Sequence, residues 1–272
     1  MAGTKGYGIK KTLFIIAFVA LCALVLVFEV IDITFVCNKT YNRLLNNVLP
    51  PFLGGIAVCL LVCSGGYKVF GKPKNLLYLI PCLIIAIDNF PFAAYFADKM
   101  TLVYTKPLYF LLFILYCLSV GLFEELIFRV IIFSFLADLF SKDKKGFLKT
   151  FVLSSVIFGI VHLMNIFAGA SVPATLLQVV YTTLTGGLFA FAFIKTKNVL
   201  FAAFIHALYN FCGLLFTTDL GLGNGSVLDV PTVVTMAIVC VLTGIFVLYK
   251  VITYTDDERE ELYAKLNVKS KK

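Results

Sequence analysis

A cluster of three charged residues and two histidines within apolar stretches of this chain could do acid–base chemistry. Glu124, Glu125 and Arg129 occur together inside one long apolar run, and the only two histidines, His162 and His206, lie in two others. Ionised side chains are costly in hydrocarbon, so they normally face a protein interior or a wet cavity. Carboxylates and imidazoles in such places predict acid–base or metal chemistry within a membrane.

The spacing of the first three residues divides their roles. Glu125 and Arg129 are four residues apart, so on a helix they share a face and can form an ion pair. Glu124 lies about 100° around the same helix and can point elsewhere. One arginine needs only one carboxylate, which leaves Glu124 available as a general base.

The two histidines also have polar or aromatic neighbours at helical spacing. Phe158 shares a face with His162, and Asn210 shares a face with His206. If these faces converge on Glu124, the set could deprotonate a water, protonate a leaving amine and stabilise an oxyanion. Glu124, His162 and His206 could equally ligate Zn²⁺ or another divalent metal. The spacing does not choose between these versions.

Each of these residues also has a purely structural interpretation. A Glu–Arg pair in a membrane helix is as often structural as catalytic, and a single histidine can simply hydrogen-bond a neighbouring helix. For Asp88, which lies in another apolar segment, a structural or ion-pairing role is also the favoured interpretation. The second glutamate is the feature that favours chemistry at residues 124–129.

The composition defines the class of protein. The 272 residues are 61% hydrophobic and 14% charged, with a mean hydropathy of +0.99, whereas soluble domains have about 45–50% apolar and about 25% charged residues. The chain is therefore expected to be an all-α polytopic membrane protein. The net charge of +8 does not indicate nucleic-acid binding, because Lys and Arg fall in short connections, where they set topology and contact anionic lipid headgroups.

Eight apolar segments are long enough to approach the roughly 20 residues of a membrane span. They cover residues 12–36, 49–70, 75–97, 107–140, 149–167, 172–194, 198–217 and 231–253. Lys and Arg are concentrated in the N-terminus, the connections after even-numbered spans and the C-terminal tail, which predicts both termini in the cytoplasm. The fourth span, about 51 Å long as one helix, is expected to be tilted or broken near Gly121. The tail after Tyr254 is expected to be a short charged helix or a disordered end.

Three parts are expected along the chain. Residues 1–104 hold the first three spans, residues 105–217 hold the candidate catalytic core, and residues 218–272 hold the last span and the charged tail. Because no long polar linker separates them, they are expected to form a single integrated domain.

Three motifs occur in order on separate predicted spans: Glu-Glu-x-x-x-Arg at 124–129, Phe-x-x-x-His at 158–162 and His-x-x-x-Asn at 206–210. This pattern resembles the CAAX-protease and bacteriocin-processing (CPBP, or Abi) family of intramembrane proteases. Each motif alone is weakly specific, but the three together use both histidines of the chain. The resemblance covers about residues 105–216.

The resemblance implies roles for four residues. Glu124 would activate the attacking water, and His162 would assist as its acid–base partner. His206 and Asn210 would stabilise the oxyanion. Members of the family have been described both as metalloproteases and as metal-independent glutamate proteases, so a divalent metal stays an open alternative.

The same resemblance implies supporting roles for Glu125 and Arg129, which would hold the first motif's helix in register. Arg129 would alternatively meet a substrate carboxylate. Val130 departs from the glycine that many relatives have after the arginine, and this affects only local packing.

The expected function is that of an intramembrane endopeptidase in a bacterial cytoplasmic membrane. Its substrate would be a membrane-associated peptide or protein: a prenylated CAAX-type tail, a bacteriocin leader or a membrane protein segment. A non-enzymatic bacteriocin-immunity or scaffolding protein is the first alternative. A proton-coupled transporter that uses Glu124, His162 and His206 as a relay is the second, and it is less favoured because the sequence shows no internal repeat.

Overall fold

The structure is a computed structural model, and it describes residues 19, 31, 33–140, 142–167, 169–218, 220–225 and 230–268. Within these residues the protein is all-helical, with 76% helix and no strands. The helices are α1 (Lys39–Ser64), α2 (Ile80–Asp88), α3 (Phe92–Phe96), α4 (Pro107–Glu125), α5 (Phe133–Leu139), α6 (Lys144–Val161), α7 (Val172–Thr196), α8 (Val199–Leu214), α9 (Val230–Ile252) and α10 (Asp256–Lys265). Short 3₁₀ turns at Leu76–Leu79 and His162–Ile166 and a π-helical segment at Leu126–Ile132 complete the list.

Five helical segments of the described residues are long and apolar enough to cross a membrane. They are Lys39–Ser64, Pro107–Leu139, Lys144–Ile166, Val172–Thr196 and Val230–Ile252, and two shorter apolar helices cover Leu76–Asp88 and Val199–Leu214. The prediction of an all-α integral membrane protein is therefore confirmed. The count of eight spans, the cytoplasmic termini and the division at residues 104 and 217 stay predictions.

Two of the predicted spans differ from the observed helices. The span over 75–97 is interrupted, because α2 ends at Asp88 and the five-residue α3 begins only after Pro91. Proline lacks the N–H that would continue a helix. The span over 12–36 lies largely outside the described residues, but residues 33–38 are described and are not helical, so a helix extending to 36 is wrong.

The fourth span is not broken near Gly121, one of the two outcomes that the sequence allowed, because α4 continues through this residue to Glu125. Gly121 instead permits close packing: a Cβ atom here would lie 2.5 Å from the carbonyl oxygen of Ala203 and 3.0 Å from the backbone nitrogen of Ala207. Small residues let membrane helices approach closely in this way. The glycine therefore brings α8 directly against α4.

The helical hydrogen-bonding pattern changes immediately after the glutamate pair. Residues Leu126–Ile132 form a π-helical segment, and α5 then restores the α-helix. Segments of π-helix are rare and frequently mark functional sites. Here the segment carries Arg129 in its last turn, and all but one of its side chains are buried.

The helices that carry the motifs, α4, α6 and α8, pack against α1 and α7. Helix α4 lies between α1 and α8, and α7 packs against α6 and α8. In α7, Phe189, Phe191 and Phe193 are buried to 1% exposure or less. Helix α9 lies at the periphery, with only 11% of its most apolar window buried.

The C-terminal tail, which the sequence predicts as either a short charged helix or a disordered end, forms the helix α10. Thr255 caps α10 and exchanges reciprocal hydrogen bonds with Glu258, an arrangement that satisfies two otherwise free N–H groups. The helix folds back on the bundle: the Lys68 N–H donates to the Lys265 carbonyl at 2.8 Å, and Lys195 Nζ lies 2.9 Å from Glu258 Oε1.

Candidate active site

Glu125 and Arg129 form the buried ion pair that their spacing predicts. Arg129 Nε donates to Glu125 Oε2 at 2.7 Å and Nη2 donates to Oε1 at 3.4 Å, and both side chains have 0% exposure. The guanidinium also lies 5.0 Å from the centre of the Phe158 ring, which is within cation–π range. The pair thus links α4 and its π-helical extension to α6.

Glu125 makes a second contact that the spacing does not indicate. Its Oε1 lies 3.1 Å from Nδ1 of His206 on α8, a ring with only 4% exposure. An ionised carboxylate only accepts hydrogen bonds, so Nδ1 must carry the proton. Glu125 therefore orients the His206 ring and leaves its Nε2 facing away from the ion pair.

Glu124 lies on the other side of this histidine. His206 Nε2 is 3.9 Å from Glu124 Oε2, and this oxygen has no hydrogen-bond partner among the described residues. The Glu124 side chain is 25% exposed, whereas that of Glu125 is fully buried. The two adjacent carboxylates therefore differ in environment: Glu125 is bonded to two partners, and Glu124 has a free oxygen.

His162 lies at the end of α6, where the helix tightens into a 3₁₀ turn. Its Nδ1 is 2.9 Å from the carbonyl oxygen of Phe158, so Nδ1 donates and Nε2 is left for other partners. The Phe158 ring lies edge-on to both imidazoles, with centroid distances of 5.2 Å to His162 and 5.7 Å to His206. One buried aromatic side chain therefore contacts both histidines and Arg129.

Phe189 is a site residue that the sequence reasoning missed. Its ring stacks on His206 with a centroid distance of 4.5 Å and an interplanar angle of 16°. In the sequence it is one of several phenylalanines in α7, and nothing in the pattern separates it from the core. Only the position of α8 makes it a neighbour of the imidazole.

Asn210 lies one turn beyond His206 on α8 and is half-buried. Its amide makes no hydrogen bond with another described residue. The structure thus bonds Glu125 directly to Arg129 and His206 and places Glu124 3.9 Å from His206. Phe158 links His162 to this group, and Asn210 lies on the same helix as His206, one turn away.

The donors fit acid–base chemistry better than metal ligation. Zinc sites in proteins use at least three protein ligands. Among the residues that the structure describes, no group of three or more His, Cys, Asp or Glu side chains is arranged to hold a metal ion. Glu124 and His206 offer two donors at one place, and His162 would have to move towards them to complete the set.

Comparison with known families gives one relevant match. Residues 106–212 match a family model described as "Type II CAAX prenyl endopeptidase Rce1-like", and this range includes every motif residue of the site. No curated protein matches the chain, and no solved structure does.

Proposed function

Because residues 106–212 match the Rce1-like family model, a type within the CPBP family of intramembrane proteases, we propose that this chain is an intramembrane endopeptidase that uses a glutamate-activated water. Its substrate is a peptide bond in a membrane-associated peptide or protein. The observation that carries the proposal is the free oxygen of Glu124 beside the fixed ring of His206.

The distance between these two groups suits a shared water. At 3.9 Å, Glu124 Oε2 and His206 Nε2 are too far apart for a direct hydrogen bond, and one water can bridge such a gap. In the proposed first step, Glu124 takes a proton from this water while the water oxygen forms a bond to the peptide carbonyl carbon.

The oxyanion that results needs hydrogen-bond donors. His206 donates from Nε2 when the ring is protonated, and the Glu125 carboxylate at Nδ1 stabilises that positive charge. The amide of Asn210 is the proposed second donor. Glu124 then passes the proton to the leaving nitrogen, directly or through His162, and the C–N bond breaks, which completes the addition of one water.

Glu125 cannot replace Glu124 as the base. Its two oxygens already accept from Arg129 and His206, so it has little capacity to take another proton. We assign Glu125 and Arg129 as positioning residues for His206. This extends the register-holding role that the family resemblance implies.

The test is a cleavage assay with the purified full-length protein in liposomes. Fluorogenic peptides with and without a C-terminal prenyl group, and a bacteriocin-leader peptide, separate the substrate classes. Glu124→Gln is expected to abolish cleavage and to leave thermal unfolding unchanged. The control for cleavage is Glu261→Gln on α10, which should keep the activity.

The alternatives give different results in the same experiment. A scaffolding or immunity protein would cleave none of the peptides and would keep its phenotype in the Glu124→Gln variant, and a transporter would lose proton-dependent uptake. A chelator tests the metal version: lost activity that Zn²⁺ restores would contradict a metal-independent mechanism.

A further inference from the structure

A cleft opens between the peripheral helix α9 and the helices α2 and α7. It contains about 380 Å³ of empty space, part of which lies open to the outside, and Ile85, Leu184, Leu188 and Val247 are among its lining residues. None of the candidate catalytic residues lines it. Because α9 is so little buried, the cleft faces the surrounding bilayer.

The polar groups in the cleft wall are already bonded within their own helices. The Thr243 hydroxyl donates to the Val239 carbonyl at 2.7 Å, and the Thr185 hydroxyl donates to the Thr182 carbonyl at 3.4 Å. Gly244 adds open room, since a Cβ atom there would meet no other atom within 4 Å. A molecule bound in this cleft would therefore contact mainly apolar surface, which suits an alkyl chain.

Aromatic rings continue the cleft towards the end of the bundle that carries α10. Tyr78, Phe191 and Phe246 contact one another with centroid distances of 6.0, 6.2 and 6.4 Å. Lys250, in the last turn of α9, places Nζ 5.6 Å from the Tyr78 ring and 5.9 Å from the Phe246 ring. A positive charge therefore stands at this end of an apolar cleft.

This positive charge has no carboxylate partner among the described residues, where each ion pair of this end involves another cation. Neighbouring Lys195, which also lies over the Tyr78 ring, is paired with Glu258 at 2.9 Å. A lysine in the last turn of a spanning helix reaches the headgroup level of the bilayer. Lys250 is thus the free cation next to the cleft.

We propose that this cleft binds an anionic phospholipid. One acyl chain lies between α9 and α7, and the phosphate contacts the ammonium of Lys250. The proposal rests on charge complementarity and on the apolar lining, and it is independent of the protease assignment.

The chain contains no tryptophan, so a single introduced tryptophan is a fluorescent probe without background. Phe246→Trp places an indole at the cleft, and Phe204→Trp on α8, at a side chain with 52% exposure, reports on bulk lipid. Both proteins are reconstituted in phosphatidylethanolamine vesicles that contain either brominated phosphatidylglycerol or brominated phosphatidylethanolamine. The measured quantity is quenching of tryptophan fluorescence.

The expected result is a preference for the anionic lipid at the cleft alone. One lysine at the membrane surface corresponds to roughly a fivefold preference for anionic lipid. This preference is expected for Phe246→Trp, not for Phe204→Trp, and Lys250→Gln should remove it. Inorganic phosphate should not compete, because a free anion lacks the acyl chain.

Filling the cleft provides a second, independent arm. Gly244→Leu, added to Phe246→Trp, should fold because its Cβ has open space, and it should displace the lipid chain and reduce quenching. Ile245→Phe, on an adjacent side chain with 66% exposure, is the matched control and should change nothing. Equal quenching by the two lipids at residues 246 and 204, or an unchanged preference in Lys250→Gln and Gly244→Leu, would overturn the proposal.

Discussion

Two groups of charged side chains in this protein both contain two glutamates but differ in whether every carboxylate has a partner. The intramembrane group lies on α4, its π-helical extension and α8, and it consists of Glu124, Glu125, Arg129 and His206. The terminal group joins α10 to the last turn of α7 and to two helix connections, and it consists of Lys74, Lys195, Lys197, Glu258 and Glu261.

The carboxylates of the terminal group are all paired with cations. Glu261 contacts both Lys197 and, at 2.7 Å, Lys74, and Glu258 contacts Lys195. The intramembrane group has instead one paired carboxylate and one with a free oxygen, that of Glu124. A paired carboxylate fastens helices together, whereas an unpaired one in a buried site is costly and therefore favours function.

The largest expected effect comes from removing the paired carboxylate of the intramembrane group. Glu125→Leu leaves Arg129 buried without a counter-charge and should cost about 3–5 kcal/mol of unfolding free energy. Lys74→Leu is the comparison in the terminal group and should cost about 1 kcal/mol or less, because solvent reaches Lys74 and Glu261 keeps Lys197 as a partner. Thermal unfolding in detergent measures both. Equal losses would remove the distinction between the groups.

Removing both partners of the ion pair separates stability from activity. The double variant Glu125→Leu/Arg129→Leu should recover most of the lost stability, because apolar replacements of a buried ion pair are often neutral. Cleavage should stay lost, by up to about 10⁴-fold, as when the carboxylate that orients a catalytic histidine is removed. A folded double variant with normal cleavage would contradict the role of Glu125 in positioning His206.

A smaller effect is expected at the ring that stacks on His206. Phe189→Leu keeps most of the apolar volume and removes the parallel contact at 4.5 Å, a type of interaction that contributes about 0.5–1.5 kcal/mol. Turnover should fall by about tenfold or less, with a changed pH profile and a nearly unchanged melting temperature. Phe193→Leu, at another buried ring of α7, is the control and should leave the pH profile unchanged.

The smallest effect concerns the pH dependence of the terminal group. Hydrogen bonds from Lys197 and Lys74 lower the pKa of Glu261 from 4.5 to about 2. A carboxylate whose pKa is lowered by folding contributes stability above its unfolded-state pKa and loses it as the pH falls. The difference in melting temperature between the protein and Glu261→Gln should therefore be constant above about pH 4.5 and vanish towards pH 2. A difference that persists at pH 2 would exclude this linkage.

Several features of the site follow from local spacing. The Glu125–Arg129 pair and the Phe158–His162 contact are both i, i+4 relationships, and both form as predicted. The family match to residues 106–212 confirms the resemblance that the three motifs indicate. Such features can be predicted from the sequence because helix geometry alone sets the relative direction of residues four apart.

The features that sequence reasoning missed are contacts between helices. Lys195 and Lys197 count as loop charges in the sequence, yet in the structure they are buried and paired with α10. The contact of Glu125 with His206 depends on how closely α8 approaches α4, which Gly121 permits. No periodicity along one segment reveals the lateral position of another.

The sequence by itself determined the class of this protein, the position of most of its helices and the residues available for chemistry, because hydropathy and helical spacing are local properties. The tertiary structure decided which of these residues are paired with one another and which keeps a free oxygen. It placed His206 between two adjacent glutamates, bonded one of them to Arg129 and left the other with a free oxygen. That division depends on the approach of two helices, because Glu125 and His206 are 81 residues apart in the chain. Short-range patterns carry no information about how two such distant helices pack.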